Sequence, residues 1–162
     1  MTVNESIVQT QVADYLLLQY PDVLFHSDFG SSVGMTAQQG ARKRRQNGGR
    51  RGWPDMVIAE AVEARPVFED PYWNNVCRDW DCFFGLYIEL KKDGETLYPG
   101  PRAKKRFQSK DGKEYKTEHL MEQADCLYDL RQRGYCAEFA IGFDEAKQII
   151  DKYLGGPQQR KV

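Results

Sequence analysis

The sequence predicts an α/β (α+β) fold in which a mixed central sheet is flanked by helices, and three observations carry that prediction. Two apolar, β-favouring runs, Met56-Val57-Ile58 and Leu86-Tyr87-Ile88, stand too far apart for a hairpin turn. Residues 5–19 and 117–133 repeat apolar side chains at helical spacing. A third strand-like run at 135–143 leads into a further helix. A chain of 162 residues, 41% hydrophobic, is long enough for one core and short for two. Residues 1–154 are therefore expected to form a single domain, with 155–162 as a frayed tail.

The first helix, over 5–19, places Val8, Val12, Tyr15 and Leu16 on one side; Pro21 closes it, and Thr2 or Asn4 is its cap. A short strand is expected at 23–26. Residues 30–52, rich in Gly, Gln and Arg, read as an extended mobile loop. Strands follow at 55–61 and 85–91, and the intervening 62–84, with Pro66, Pro71, Trp73 and Trp80, reads as an inserted extension. Residues 92–116 form a second long, basic loop, punctuated by Asp93-Gly94, Pro99-Gly100-Pro101 and Asp111-Gly112. In the helix over 117–133, Leu120, Ala124, Leu127 and Leu130 share a face and Gly134 is the stop. Asp144 is read as the cap of the last helix, which runs to 154. There is no internal repeat.

The formal net charge of -1 hides a segregated distribution. Arg42, Lys43, Arg44, Arg45, Arg50 and Arg51 form a run of purely positive charge leading towards Asp55, and Lys104, Lys105 and Arg106 lie in a second basic stretch. Acids gather instead between residues 60 and 81. We read the basic run as DNA-binding through phosphates, against the bland alternative of a solvated charged loop. Tyr98, Phe107 and Tyr115 either stack on unpaired bases or pin their loop. No window approaches eighteen unbroken apolar residues and residues 1–11 are polar, which points to a soluble, cytoplasmic protein with no membrane partner. Four cysteines without a C-x-x-C pair, and two distant histidines, argue against a disulfide frame or a zinc site.

Alternation along residues 86–91 puts Leu86, Ile88 and Leu90 on one face and Tyr87, Glu89 and Lys91 on the other. Charged groups at the end of a buried strand are expensive unless paired, metal-bound or catalytic. If the two strands are antiparallel neighbours, Asp55 at the start of one lies beside Glu89 at the end of the other. Two adjoining carboxylates repel unless a cation sits between them, and oxygen ligands suit Mg²⁺ or Mn²⁺. Such an ion polarises a phosphoryl oxygen and acidifies a water, while Lys91 orients or deprotonates that water.

Gly52-Trp53-Pro54-Asp55 followed by Glu89-Leu90-Lys91 resembles the PD-(D/E)xK nuclease signature in its VRR-NUC form, over roughly residues 5–143. The resemblance implies a restriction-endonuclease-like core and metal-dependent endonucleolytic hydrolysis of DNA. It adds an acid on the first helix and a glutamine on the helix after the motif, places filled by Glu5 and Gln123. Glu5, Asp55, Glu89, Lys91 and Gln123 then form the catalytic set, with Asp55, Glu89, the Leu90 carbonyl and Glu5 holding Mg²⁺ or Mn²⁺. For single-domain viral and bacterial members the resemblance further implies a homodimer acting on branched DNA such as Holliday junctions, in a bacterial cell or phage-infected host. The 62–84 insert and the 92–116 loop exceed what a minimal member needs.

Alternatives stay open at several positions. Glu5 can close a capping box with Thr2, Gln123 can be a solvated helix residue, Trp53 can pack rather than stack on substrate, and His119 reads better as a helix-surface residue than as a ligand. A non-cutting DNA-binding scaffold with a nuclease-like fold and a sequence-specific restriction enzyme are the rival functions.

Overall fold

The computed structural model describes residues 4–28, 36–46, 48, 51–63 and 82–155. Most of the 62–84 insert, Arg50, Thr2 and the 156–162 tail lie outside the described residues.

The elements in chain order are α1 (Glu5–Gln19), β1 (Phe25–Ser27), α2 (Ala37–Gln46), β2 (Met56–Ile58), β3 (Val62–Glu63), β4 (Cys82–Phe83), β5 (Leu86–Lys91), β6 (Phe107–Gln108), β7 (Glu114–Tyr115), α3 (Glu118–Arg131), β8 (Cys136–Ile141) and α4 (Gly142–Leu154). Four strands make the central sheet in the order β1-β2-β5-β8. β2 pairs antiparallel with both β1 and β5, in a register that sets His26, Val57 and Tyr87 side by side. β8 pairs parallel with β5, and a parallel neighbour requires a crossover, which α3 supplies. β3–β4 and β6–β7 are separate two-stranded ribbons.

The alternation read from the sequence decides what covers each face. Leu86, Ile88 and Leu90 of β5, with Met56 and Ile58 of β2, are buried in one cluster with Val8, Val12 and Leu16 of α1 and Ala146 and Ile150 of α4. Each fully buried Leu or Ile stabilises by roughly 1.5–3 kcal/mol, so this face carries much of the fold. On the opposite face Leu127 and Leu130 of α3 pack on Ala137, Tyr87 and Phe139. α1 and α4 are joined further by Asp151, whose carboxylate accepts from the hydroxyls of Tyr15 (2.5 Å) and Tyr20 (2.7 Å) and from Lys147 (2.6 Å). No helix among the described residues is long and apolar enough to cross a membrane.

Several expected boundaries move. The loop expected over 30–52 contains α2, whose start is held reciprocally: the Gln39 N–H donates to Thr36 Oγ1 (3.3 Å) and the Thr36 N–H to Gln39 Oε1 (2.8 Å). Thr-x-x-Gln is a capping box, so helix formation there needs no apolar stripe. The loop expected over 92–116 contains the β6–β7 hairpin, which turns through Gly112 at φ 81. Asp125 on α3 anchors it, accepting from Ser109 Oγ (2.7 Å) and the Lys110 N–H (2.8 Å). The strand expected at 23–26 is shifted to Phe25–Ser27, and that expected at 55–61 ends at Ile58. Asp144 does not cap α4. The chain passes from β8 straight into the helix at Gly142, φ 76, and Glu145 reaches back to accept from the Ile141 N–H (2.7 Å). Thr117, by contrast, caps α3, accepting from the Leu120 N–H at 3.2 Å.

Candidate active site

The antiparallel register, with Met56 opposite Ile88, carries Asp55 to a position opposite Glu89. Asp55 is fixed there by the sheet, because its Oδ2 accepts the Leu90 N–H at 2.9 Å. In an extended strand a residue's N–H and C=O point the same way, so the Leu90 carbonyl faces the Asp55 side too. The turn delivering Asp55 depends on Gly52: it sits at φ 73, and a Cβ there would lie 2.8 Å from the Gln123 backbone of α3. Only glycine combines that conformation with so close an approach.

Glu89 is 2% exposed. Its Oε1 accepts from Lys91 Nζ at 2.7 Å and from the Gln123 side-chain amide. Its Oε2 and the Gln123 Oε1 are buried without a hydrogen-bond partner. Lys91, 5% exposed, also lies 3.6 Å from Glu5 Oε1, so α1 contributes a third carboxylate at the rim. Glu5 thus faces Lys91, while Thr2, its rival partner, lies outside the described residues.

The electrostatics follow from this crowding. Burial, then the Asp55 carboxylate, push Glu89 up to about 8, against the pull of Lys91. Burial likewise raises Asp55, opposed by the Leu90 N–H bond and Lys91. Burial alone would lower Lys91, but Glu89, Glu5 and Asp55 outweigh it and hold the ammonium above the ordinary lysine range. Three carboxylates against one ammonium leave a deficit of two positive charges when all are ionised, the charge of a divalent cation.

The donor set suits a hard cation: carboxylate oxygens of Asp55 and Glu89, one of them buried and unpartnered, beside a backbone carbonyl. No group of three or more His, Cys, Asp or Glu side chains among the described residues is gathered as a metal cage. A cation here would therefore keep waters, as Mg²⁺ commonly does.

The other candidates divide. Arg42 lines a cleft that reaches Asp55, and Arg45 is exposed on α2. Lys43 and Arg44 lie on α2 with side chains outside the described set. Arg51 is exposed and 3.7 Å from Glu122. Lys104, Lys105 and Arg106 are exposed just before β6, and Arg106 pairs with Glu114 across the hairpin at 2.7 Å. Tyr115 is 2% exposed, bonded to Asp111 and packed on Phe139, so it pins its segment; Tyr98 is half exposed. His119 is on the helix surface. Gln123 is buried against Glu89, not solvated.

Gln9 escaped the sequence reading. Its amide nitrogen donates to Ser27 Oγ (2.6 Å), the Asp28 carbonyl (3.1 Å) and the Asp55 carbonyl (3.4 Å), tying α1 to the strand end that carries Asp55. The one signal was its place a turn after Glu5 on the same helix face.

No protein-family model matches the chain, and no curated protein matches it. Among solved structures, one described as a VRR_NUC domain protein is similar at 24% identity and a TM-score of 0.56, over 96% of this chain and 92% of that one. The chain therefore shares the fold of a VRR_NUC domain protein along nearly its whole length.

Proposed function

We propose that the protein is a divalent-metal-dependent endonuclease that hydrolyses phosphodiester bonds in DNA. The observation that carries the reading is Glu89: buried, bonded through one oxygen to Lys91 and Gln123, and unpartnered at the other. The shared fold with a protein whose name carries a nuclease domain supports it.

Asp55, Glu89 and the Leu90 carbonyl would hold Mg²⁺ or Mn²⁺, with Glu5 at the rim. When bound, the ion polarises a phosphoryl oxygen and lowers the pKa of water. The Leu90 N–H fixes the Asp55 carboxylate, and Gln123 holds Glu89 in one rotamer. Lys91, kept charged by its three acidic neighbours, orients the attacking water and offsets negative charge building on the phosphate. Arg42, Arg45, Lys104 and Lys105 are exposed and meet backbone phosphates. Branched DNA as preferred substrate and a homodimer as active unit rest on the resemblance of the motif alone.

The test is incubation of the purified protein with labelled junctions, flaps and linear duplex, in Mg²⁺, in Mn²⁺ and in EDTA. Cutting is expected with metal only, falling by about 100-fold or more in Lys91→Ala. Cutting that survives EDTA, or is unchanged in Lys91→Ala, would contradict the mechanism; binding without any cutting would favour the scaffold.

A further inference from the structure

The alternation that aims Asp55 and Glu89 at one face of the sheet aims Val57 and Tyr87, two residues away along each strand, at the same face. His26 stands opposite Val57 on β1, so His26, Val57 and Tyr87 form a cross-strand row about 7 Å from the acidic pair. α3 packs on β8 and on Tyr87, and the row lines a cleft that α2 and Trp53 also line.

The cleft holds about 540 Å³ and reaches Asp55. That volume lies in the range of small-ligand sites, roughly 300–1,000 Å³. Trp53 lines the cleft, 38% exposed, with its ring centroid 6.4 Å from that of Tyr87. Gln39, Arg42 and Gln46 of α2 line it too, as does Asp28 just after β1. Aromatic surface, hydrogen-bonding groups and a guanidinium gathered in one cleft match the π-face, polar edge and phosphate of a nucleotide.

We infer that this cleft receives one unpaired nucleotide flanking the scissile phosphate, its base stacked on Trp53 and its phosphate side directed to Arg42. The inference rests on reading Asp55 as part of the phosphodiester-cutting site. A base inside a duplex has both faces covered by its neighbours and cannot stack on Trp53, so the cleft selects DNA with an extrahelical or single-stranded nucleotide at the cut. Selection for disrupted DNA then comes from one pocket of this chain.

The test is DNA binding by fluorescence anisotropy in EDTA, where no cutting occurs. Three probes share one sequence: a perfect duplex, a duplex with one unpaired nucleotide, and the same bulge with an abasic site. The wild-type protein is expected to prefer the unpaired base over the abasic bulge by about 5- to 100-fold, the range of one base–aromatic stack. Trp53→Ala should bring that ratio close to one, and Trp53→Phe should keep most of it. Val57→Phe, which adds bulk to the cleft while leaving Trp53 in the chain, should also abolish it, and thermal melts verify that each variant is folded. Equal wild-type affinity for the base and abasic bulges, or a ratio unmoved in both Trp53→Ala and Val57→Phe, would overturn the inference. A chain that binds selectively but never cuts refutes the nuclease reading alone. One that cuts without this preference refutes the pocket alone.

Discussion

At Glu89, burial and the Asp55 carboxylate act in the same direction, and the carboxyl keeps its proton up to about pH 8 in the folded, metal-free protein. The ordinary value is 4.5, so between about 4.5 and 8 the folded chain binds a proton that the unfolded chain has lost. Stability from this group is complete below the lower value, declines as pH rises towards the upper one, and is level beyond it. Asp55, raised for the same reason, adds to the decline; Lys91, raised above 10.5, acts only in more alkaline solution. Thermal melts in EDTA should therefore show a midpoint that falls between pH 5 and 8. Glu89→Gln should flatten that fall and melt above wild type at pH 8, while losing about 100-fold or more of its cleavage rate. A melting profile equally steep in Glu89→Gln would place the titration elsewhere.

Elements differ in how plainly the sequence announces them, and α2 shows why. α1, β5 and α3 were legible because apolar side chains recur on one face and something apolar covers them. α2 has little to bury and carries Gly40, so periodicity was silent; its only signal was the local pair Thr36 and Gln39. The β6–β7 hairpin announced its turn at Asp111-Gly112 but its two-residue strands are too short to read. Asp55 and Glu89 could be paired from the sequence on the condition that their strands are antiparallel neighbours, as β2 and β5 are. Glu5 and Gln123 come from distant helices, and only the family resemblance brought them to the site. If the capping box holds α2, Thr36→Ala should weaken it by about 1 kcal/mol. Hydrogen exchange at the amides of residues 40–46 should then quicken about fivefold, with β5 unaffected. Unchanged exchange would mean that tertiary contact, not the cap, holds α2.

For the molecule as a whole, the net charge of -1 is a poor guide to its partner, because exposed bases lie on α2 and before β6 while acids gather elsewhere in the sequence, between residues 60 and 81. If Arg42, Arg45, Lys104 and Lys105 each neutralise one phosphate, log affinity for duplex DNA should fall against log salt with a slope of about -4, and Lys104→Gln with Lys105→Gln should reduce it by about two. A slope near zero would separate the basic surface from DNA binding. These features serve the site only if Asp55 and Glu89 share a cation, and titration of Mn²⁺ into the DNA-free protein at pH 8, followed by calorimetry, measures that directly. Saturable binding in the wild type, weakened more than tenfold in both Asp55→Asn and Glu89→Gln, is the predicted result. Equal Mn²⁺ affinity in all three proteins would contradict it.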